Sequence, residues 1–176
     1  MKDAFHKKAL AVAGRANVGK STLIERLIVR LNADGLRLAV IKHASHGFHL
    51  TPGKDSSRFF DAGARTVWVV SERMGTLRIS KEPMEDLGAL IAELSQEADL
   101  VVLEGYKNYP LPQVWVLQDP SEVPPLESSL PKLLVGPFDR PQDAAPIITE
   151  ETIERTARWI FQTLDIPFPF EAARDL

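Results

Sequence analysis

The sequence predicts an α/β fold, a mainly parallel sheet with helices on both faces, and three observations carry that reading. Short apolar runs alternate with stretches of helical periodicity along most of the chain. A glycine-bearing turn, GRANVGKS at 14–21, joins the first apolar run to the first helical stretch. A second apolar run, Leu100-Val101-Val102-Leu103, ends on an acid, Glu104, followed directly by a glycine. Strands and helices in alternation belong to parallel sheets built by crossover connections, and such sheets bind ligands at the carboxyl ends of their strands.

Residues 9–13 form a short apolar run that breaks at Gly14, and Leu23, Ile24, Leu27, Ile28 and Leu31 then recur at helical spacing until Asp34-Gly35 stops them. Residues 36–41 read as a buried strand, and Thr51-Pro52-Gly53 marks a loop before a short helix at 55–62. Strands are expected at 66–70 and 76–79. A helix over 84–98, with Leu87, Leu90, Ile91 and Leu94 on one side, feeds the run ending in Glu104. Further strands at 113–117 and 132–135 and an amphipathic helix at 153–164 complete one domain over residues 1–164. A proline-rich loop lies at 110–131, and residues 165–176 form a tail in which Phe168 and Phe170 each follow a proline, Pro167 and Pro169.

The length of 176 residues suits a single domain with a real core. With 44% hydrophobic and 26% charged residues, and no apolar run near the roughly 20 residues of a membrane helix, the expectation is a soluble chain. The absence of cysteine excludes disulfides and thiolate metal sites and fits the cytoplasm. A net charge of -3 without a long basic cluster argues against nucleic acid or an anionic membrane as the main partner.

The turn fits G-x-x-x-x-G-K-[ST] with a strand before it and a helix after it, the context of a phosphate-binding loop in a P-loop NTPase domain. Gly14 and Gly19 permit backbone geometry that turns successive N–H groups toward phosphate oxygens. Lys20 is placed to reach the β- and γ-phosphates, and Ser21 to ligate Mg²⁺ through its hydroxyl. The candidate nucleotide-binding residues are thus Gly14, Arg15, Ala16, Asn17, Val18, Gly19, Lys20, Ser21 and Thr22. Glu104 at a strand end is the expected second metal ligand, as in a Walker B element, and Gly105 permits a close turn beside the phosphates.

Three blocks, GRANVGKSTL, IKHASHGFHLTPGKDSSRFFDAGA and DLVVLEGYK, resemble the molybdopterin-guanine dinucleotide biosynthesis protein B (MobB) family in the same order. The middle block is the most specific, since phosphate loops and acidic strand ends are widespread while IKH followed by PGKDS and AGA is not. The resemblance implies a P-loop GTPase-like fold, GTP with Mg²⁺, at most slow hydrolysis, homodimerisation and partnership with MobA, the guanylyltransferase that attaches GMP to molybdopterin. By position it places Lys42 and His43, Asp55 and Glu104 at one end of the sheet. Family members often carry an acid just before PGKDS, whereas this chain reads Phe48-His49-Leu50-Thr51 there.

Several assignments keep alternatives. Asp55 reads either as an acceptor for Mg²⁺-bound water, with a catalytic and metal role beside Lys20 and Glu104, or as the N-cap of the next helix. His43 reads as a ligand-positioning imidazole or as a structural one, and with His46 and His49 forms an H-x-x-H-x-x-H series with zinc-like spacing. Arg15 reads as a solvated side chain or as a guanidinium acting across a dimer. No N-K-x-D signature is present; Asp139 is the candidate guanine acceptor or a turn residue. The competing functions are a small-molecule kinase with Asp55 or His43 as base and a metal-delivery GTPase using the three histidines.

Overall fold

The computed structural model describes residues 8–44, 51–73, 75–80, 86–119, 121, 130–136, 148–164 and 166. In chain order the elements are β1 (Ala9–Ala13), α1 (Lys20–Ala33), β2 (Leu38–Lys42), α2 (Asp55–Asp61), β3 (Thr66–Ser71), β4 (Gly75–Ser80), α3 (Leu87–Glu97), β5 (Leu100–Glu104), β6 (Gln113–Val116), β7 (Lys132–Val135) and α4 (Glu150–Leu164). The chain divides into two compact units, Met1–His43 with Gly88–Leu176, and Ala44–Leu87. Residues 120 and 122–129 of the proline-rich loop, His46, His49, Asp139, Phe168 and Phe170 lie outside the described residues.

The first unit is built on a parallel five-stranded sheet in the order β2-β5-β1-β6-β7. β1 has partners on both edges, and all five of its residues are buried, which its apolar alphabet of alanine, leucine and valine allows. Alternation divides the strands between two faces. Leu10, Val12, Leu100, Val102, Val114 and Val116 enter one core with Leu23, Leu27 and Leu31 of α1 and Ile153, Ile160 and Phe161 of α4. Half-buried Trp159 packs against the same core, while buried Trp115 clusters with Ala13 and Leu117.

α1 ends in a Schellman motif. The Leu36 N–H donates to Leu31 O, the Gly35 N–H donates to Asn32 O, and Gly35 takes φ +84°, a conformation glycine adopts without a Cβ penalty. Leu31 and Leu36 both join the core, the apolar contact that accompanies this cap. Leu36 therefore belongs to the helix stop, and the strand expected at 36–41 begins two residues later, at Leu38. Nor is that strand fully buried: β2 is an edge strand with Val40 42% exposed, a distinction an apolar run cannot encode because it does not record how many neighbours the strand has.

α4 starts at Thr149, whose hydroxyl accepts from the Thr152 N–H at 3.2 Å. Arginines join it to α1: Arg26 donates to Ile148 O at 2.5 Å and also pairs with Glu150, while Arg30 donates to Glu154 at 2.5 and 3.1 Å. Both helices pack into one core against the sheet, so these pairs tie α4 to the helix that leaves the glycine turn.

At the opposite end of the sheet, Asp99 accepts from the Arg37 backbone N–H at 2.9 Å and from its guanidinium at 3.1 and 3.0 Å. These hydrogen bonds, side chain first and backbone second, hold the Asp99 carboxyl at a pKa of about 2 against its ordinary 3.8. A depressed carboxylate stabilises the fold above its unfolded pKa and loses that contribution as pH falls through the folded value. Urea unfolding midpoints should therefore drop between pH 3.8 and about 2, and Asp99→Asn should flatten part of that drop. Parallel acid profiles for the two proteins would count against the pairing; because Arg37 is largely exposed, the expected difference is modest.

The second unit contains α2 and an antiparallel hairpin of β3 and β4. Val67 pairs with Ile79 and Val69 with Leu77 on one face, while Trp68 pairs with Arg78 and Val70 with Thr76 on the other. Phe59, Trp68, Val70 and Leu77 are all more than half exposed.

Candidate nucleotide site

β1 ends where Gly14 must pass under β6. Its φ is +139°, and a Cβ placed there would lie 2.3 Å from Val116 O, so no side chain fits. Asn17 at φ +61° and Gly19 at φ +95° reverse the chain again, giving a turn of alternating handedness that ends on the first residue of α1. Successive N–H groups converge in such a nest. Gly19 is the N-cap and supplies no side-chain acceptor, so the first-turn amides of α1 keep their capacity for an anion. The Lys20 ammonium donates to Arg15 O and thereby spans the turn.

Strand register brings the remaining groups alongside. Val12 and Lys42 are both level with Glu104, on the two neighbours of β5. Glu104, the last residue of β5, accepts from Ser21 Oγ at 2.9 Å through Oε1 and from Lys42 Nζ at 2.8 Å through Oε2. Its side chain is only 15% exposed, so it is not a solvated loop acid. Burial pushes its pKa up, but hydrogen bonds from Lys42 and Ser21 and the charges of Lys42 and Lys20 outweigh that and hold it below the ordinary value. A hydroxyl and an ionised carboxylate 2.9 Å apart beside a phosphate nest form an all-oxygen donor pair that fits Mg²⁺.

After Glu104 the ladder continues through Gly105 N–H to Val12 O at 2.9 Å and His43 N–H to Glu104 O at 3.1 Å. Gly105 (φ +93°) and Tyr106 (φ +46°) then turn the chain sharply, and a Cβ on Gly105 would lie 3.1 Å from His43 Cβ. The His43 and Tyr106 rings meet edge to face at 5.1 Å and 65°. The loop is fastened from beneath: buried Gln113 donates through Nε2 to Lys107 O at 2.9 Å and accepts from Trp115 Nε1 at 2.7 Å.

The structure thus assembles Gly14 through Thr22 with Glu104, Lys42 and His43. Arg15 lies within electrostatic reach of Asp119. Asp55 belongs to the second unit, where it is 79% exposed and accepts from Arg58 at 3.4 Å. It is not the N-cap of α2. The extended residue is Lys54, so the helix opens one residue earlier and Asp55 sits inside its first turn, where a negative charge suits the helix dipole. Reading the residues missed two contributors, Tyr106 and Gln113. A polar residue leading the otherwise apolar strand QVWV was the available signal for Gln113; nothing local announces a left-handed tyrosine.

Comparison with known proteins adds a consistent context. The family model for molybdopterin guanine dinucleotide synthesis protein B, MobB, matches residues 9–135. A probable molybdopterin-guanine dinucleotide biosynthesis adapter protein of Bacillus subtilis (strain 168) is 37% identical over 122 residues, 66% of this chain and 69% of that protein. The corresponding adapter protein of Escherichia coli (strain K12) is 33% identical over 114 residues, 62% of this chain and 65% of that protein. The crystal structure of Bacillus subtilis MobB superposes with a TM-score of 0.66 at 26% identity, covering 86% of this chain and 96% of that one.

Proposed function

The chain belongs to the molybdopterin guanine dinucleotide synthesis protein B family, and on that premise we propose that it is a GTP-binding adaptor supporting conversion of molybdopterin to its guanine dinucleotide form. Its place in molybdenum cofactor biosynthesis follows from the family and from relatives named for that role. The observation that carries the nucleotide part is the Ser21–Glu104 pair at 2.9 Å beside a turn in which Gly14 has no room for a side chain.

In this reading the turn amides and Lys20 hold the β- and γ-phosphates of GTP, and Ser21 and Glu104 hold Mg²⁺. Mg²⁺ supplies charge neutralisation on the phosphate oxygens when bound. Lys42 holds the second oxygen of Glu104 and fixes the plane of that carboxylate. Both Glu104 oxygens already accept hydrogen bonds, which makes Glu104 a poor group for drawing a proton from water and supports weak hydrolysis at most.

The guanine preference comes with the family, the Asp139 candidate lying outside the described residues. MobA, the guanylyltransferase, is the proposed protein partner, molybdopterin a proposed second ligand, and the cytoplasm the proposed compartment. No described helix is long and apolar enough to cross a membrane. Homodimerisation is proposed with the family, and the exposed side chains of Trp68 and Val70 on one face of the hairpin are candidates for its interface.

Titration with Mg-GTP and Mg-ATP beside the Lys20→Ala variant, with phosphate release followed in the same samples, tests the reading. GTP should bind in preference, Lys20→Ala should weaken it by about ten- to a hundredfold through lost charge-assisted hydrogen bonds, and turnover should stay slow. Preference for ATP, or rapid acceptor-dependent loss of the γ-phosphate, would overturn it in favour of a kinase.

A further inference from the structure

Beside the phosphate turn, on the side of β5 and β2, lies an open cavity of about 460 Å³, within the size range of small-molecule sites. Gly14, His43, Tyr106, Lys107, Asn108 and Tyr109 line it, together with the adjoining backbone. Neither Lys20 nor Ser21 is among the lining residues, so the cavity adjoins the nucleotide turn without coinciding with it.

The wall of this cavity is built at a cost. Tyr106 holds a left-handed backbone, which disfavours a residue with a Cβ by about 1–2 kcal/mol and which glycine would adopt freely. Its neighbour Gly105, at φ +93°, packs so closely against His43 that a Cβ there would lie 3.1 Å from His43 Cβ. The loop that carries Tyr106, Lys107 and Tyr109 is tied to the sheet by the buried amide of Gln113. Strain held in place by surrounding structure, at a concave surface beside a binding turn, is the setting in which function and not folding explains an outlier. What the strain secures is an aromatic ring set edge to face against an imidazole, with an ammonium and an amide beside it and no carboxylate among the described lining residues.

We infer that this cavity is a second ligand site for a flat heteroaromatic ring bearing an anionic group, bound at the same time as the nucleotide. The rings of His43, Tyr106 and Tyr109 offer stacking and edge contacts, Asn108 offers both a donor and an acceptor to ring heteroatoms, and Lys107 meets the anion. The site rests on the geometry alone; only the choice of a pterin as probe rests on the functional reading above.

The test uses the full chain and the fluorescent probe pterin-6-carboxylate, with unsubstituted pterin as its uncharged counterpart. Saturable binding of the carboxylate is expected, undisplaced by Mg-GTP and unchanged in Lys20→Ala. Tyr106→Gly keeps the left-handed backbone at no steric cost while deleting the ring, and should weaken the probe about tenfold. His43→Ala removes the partner ring without touching that turn and should weaken it in the same direction. Lys107→Gln should weaken the carboxylate several-fold and leave pterin unaffected. The site is overturned if a protein that binds Mg-GTP shows no saturable probe binding, if Mg-GTP competes the probe away, or if Tyr106→Gly and His43→Ala both bind it like the parent chain. Saturable probe binding by a chain that does not bind GTP would instead leave the site standing and remove the nucleotide reading.

Discussion

Gly14→Ala is expected to abolish measurable Mg-GTP binding and to destabilise the fold by about 3–5 kcal/mol, among the largest effects of any single methyl group in the chain. The added Cβ would lie 2.3 Å from Val116 O, a backbone atom of β6 that cannot rotate away. Relief requires either that β6 move from β1, breaking the register of Ala11 with Gln113 and Val12 with Val114, or that the turn abandon φ +139° and with it the direction of its amides. The first route costs sheet, the second costs the phosphate nest. Gly35→Ala supplies the control. Its φ of +84° carries the same kind of backbone penalty, about 1–2 kcal/mol, yet nothing lies within 4 Å of the added Cβ. Urea unfolding of both variants, with Mg-GTP titration of each, separates conformation from collision. If Gly14→Ala lost no more stability than Gly35→Ala and still bound GTP, the close approach of the turn to β6 would be wrong.

Much of this arrangement was legible in the residues because its causes are local. β1, α1, β5 and α4 were found by apolar periodicity and by stop signals such as Asp34-Gly35, and the turn between β1 and α1 by glycines that serve backbone geometry. What was hidden depends on neighbours in space. β2 reads as a core strand, but its burial is decided by its place at the sheet edge, beyond β5. β3 and β4 read as further strands, and nothing in their alternation says that, among the described residues, they pair with each other and not with the five-stranded sheet. The pairing of Lys42 with Glu104 follows from a parallel register between residues 62 positions apart, which neither strand states alone. Of the two readings of Asp55, the N-cap misses by one residue, the usual uncertainty of a helix start.

The second large effect concerns a residue that touches no phosphate. Gln113→Leu keeps the volume of a buried side chain but removes an amide that works in two directions. The Trp115 indole N–H, 2.7 Å from Gln113 Oε1, and Lys107 O, 2.9 Å from Nε2, would both lose their partner in a setting where Trp115 is 7% exposed. Leaving the buried indole N–H unsatisfied costs about 1–3 kcal/mol, and the carbonyl of exposed Lys107 adds less because water can reach it. The contribution of Nε2 to Tyr109 O at 3.5 Å is small, and that carbonyl also accepts from Leu111 N–H at 2.8 Å, so it is not stranded. Trp115→Phe distinguishes lost hydrogen bonds from lost packing, since it removes the indole donor while keeping an aromatic ring. In that background Gln113→Leu should cost about 1 kcal/mol less than in the parent chain, because the indole donor it would strand is already gone. The cost should fall on the loop at 105–109 before it reaches the glycine turn, so pterin-6-carboxylate binding should weaken more than Mg-GTP binding. Equal costs in both backgrounds would mean that the bond from Trp115 to Gln113 contributes nothing, and the bond to Lys107 O would be left to hold the loop that carries Tyr106.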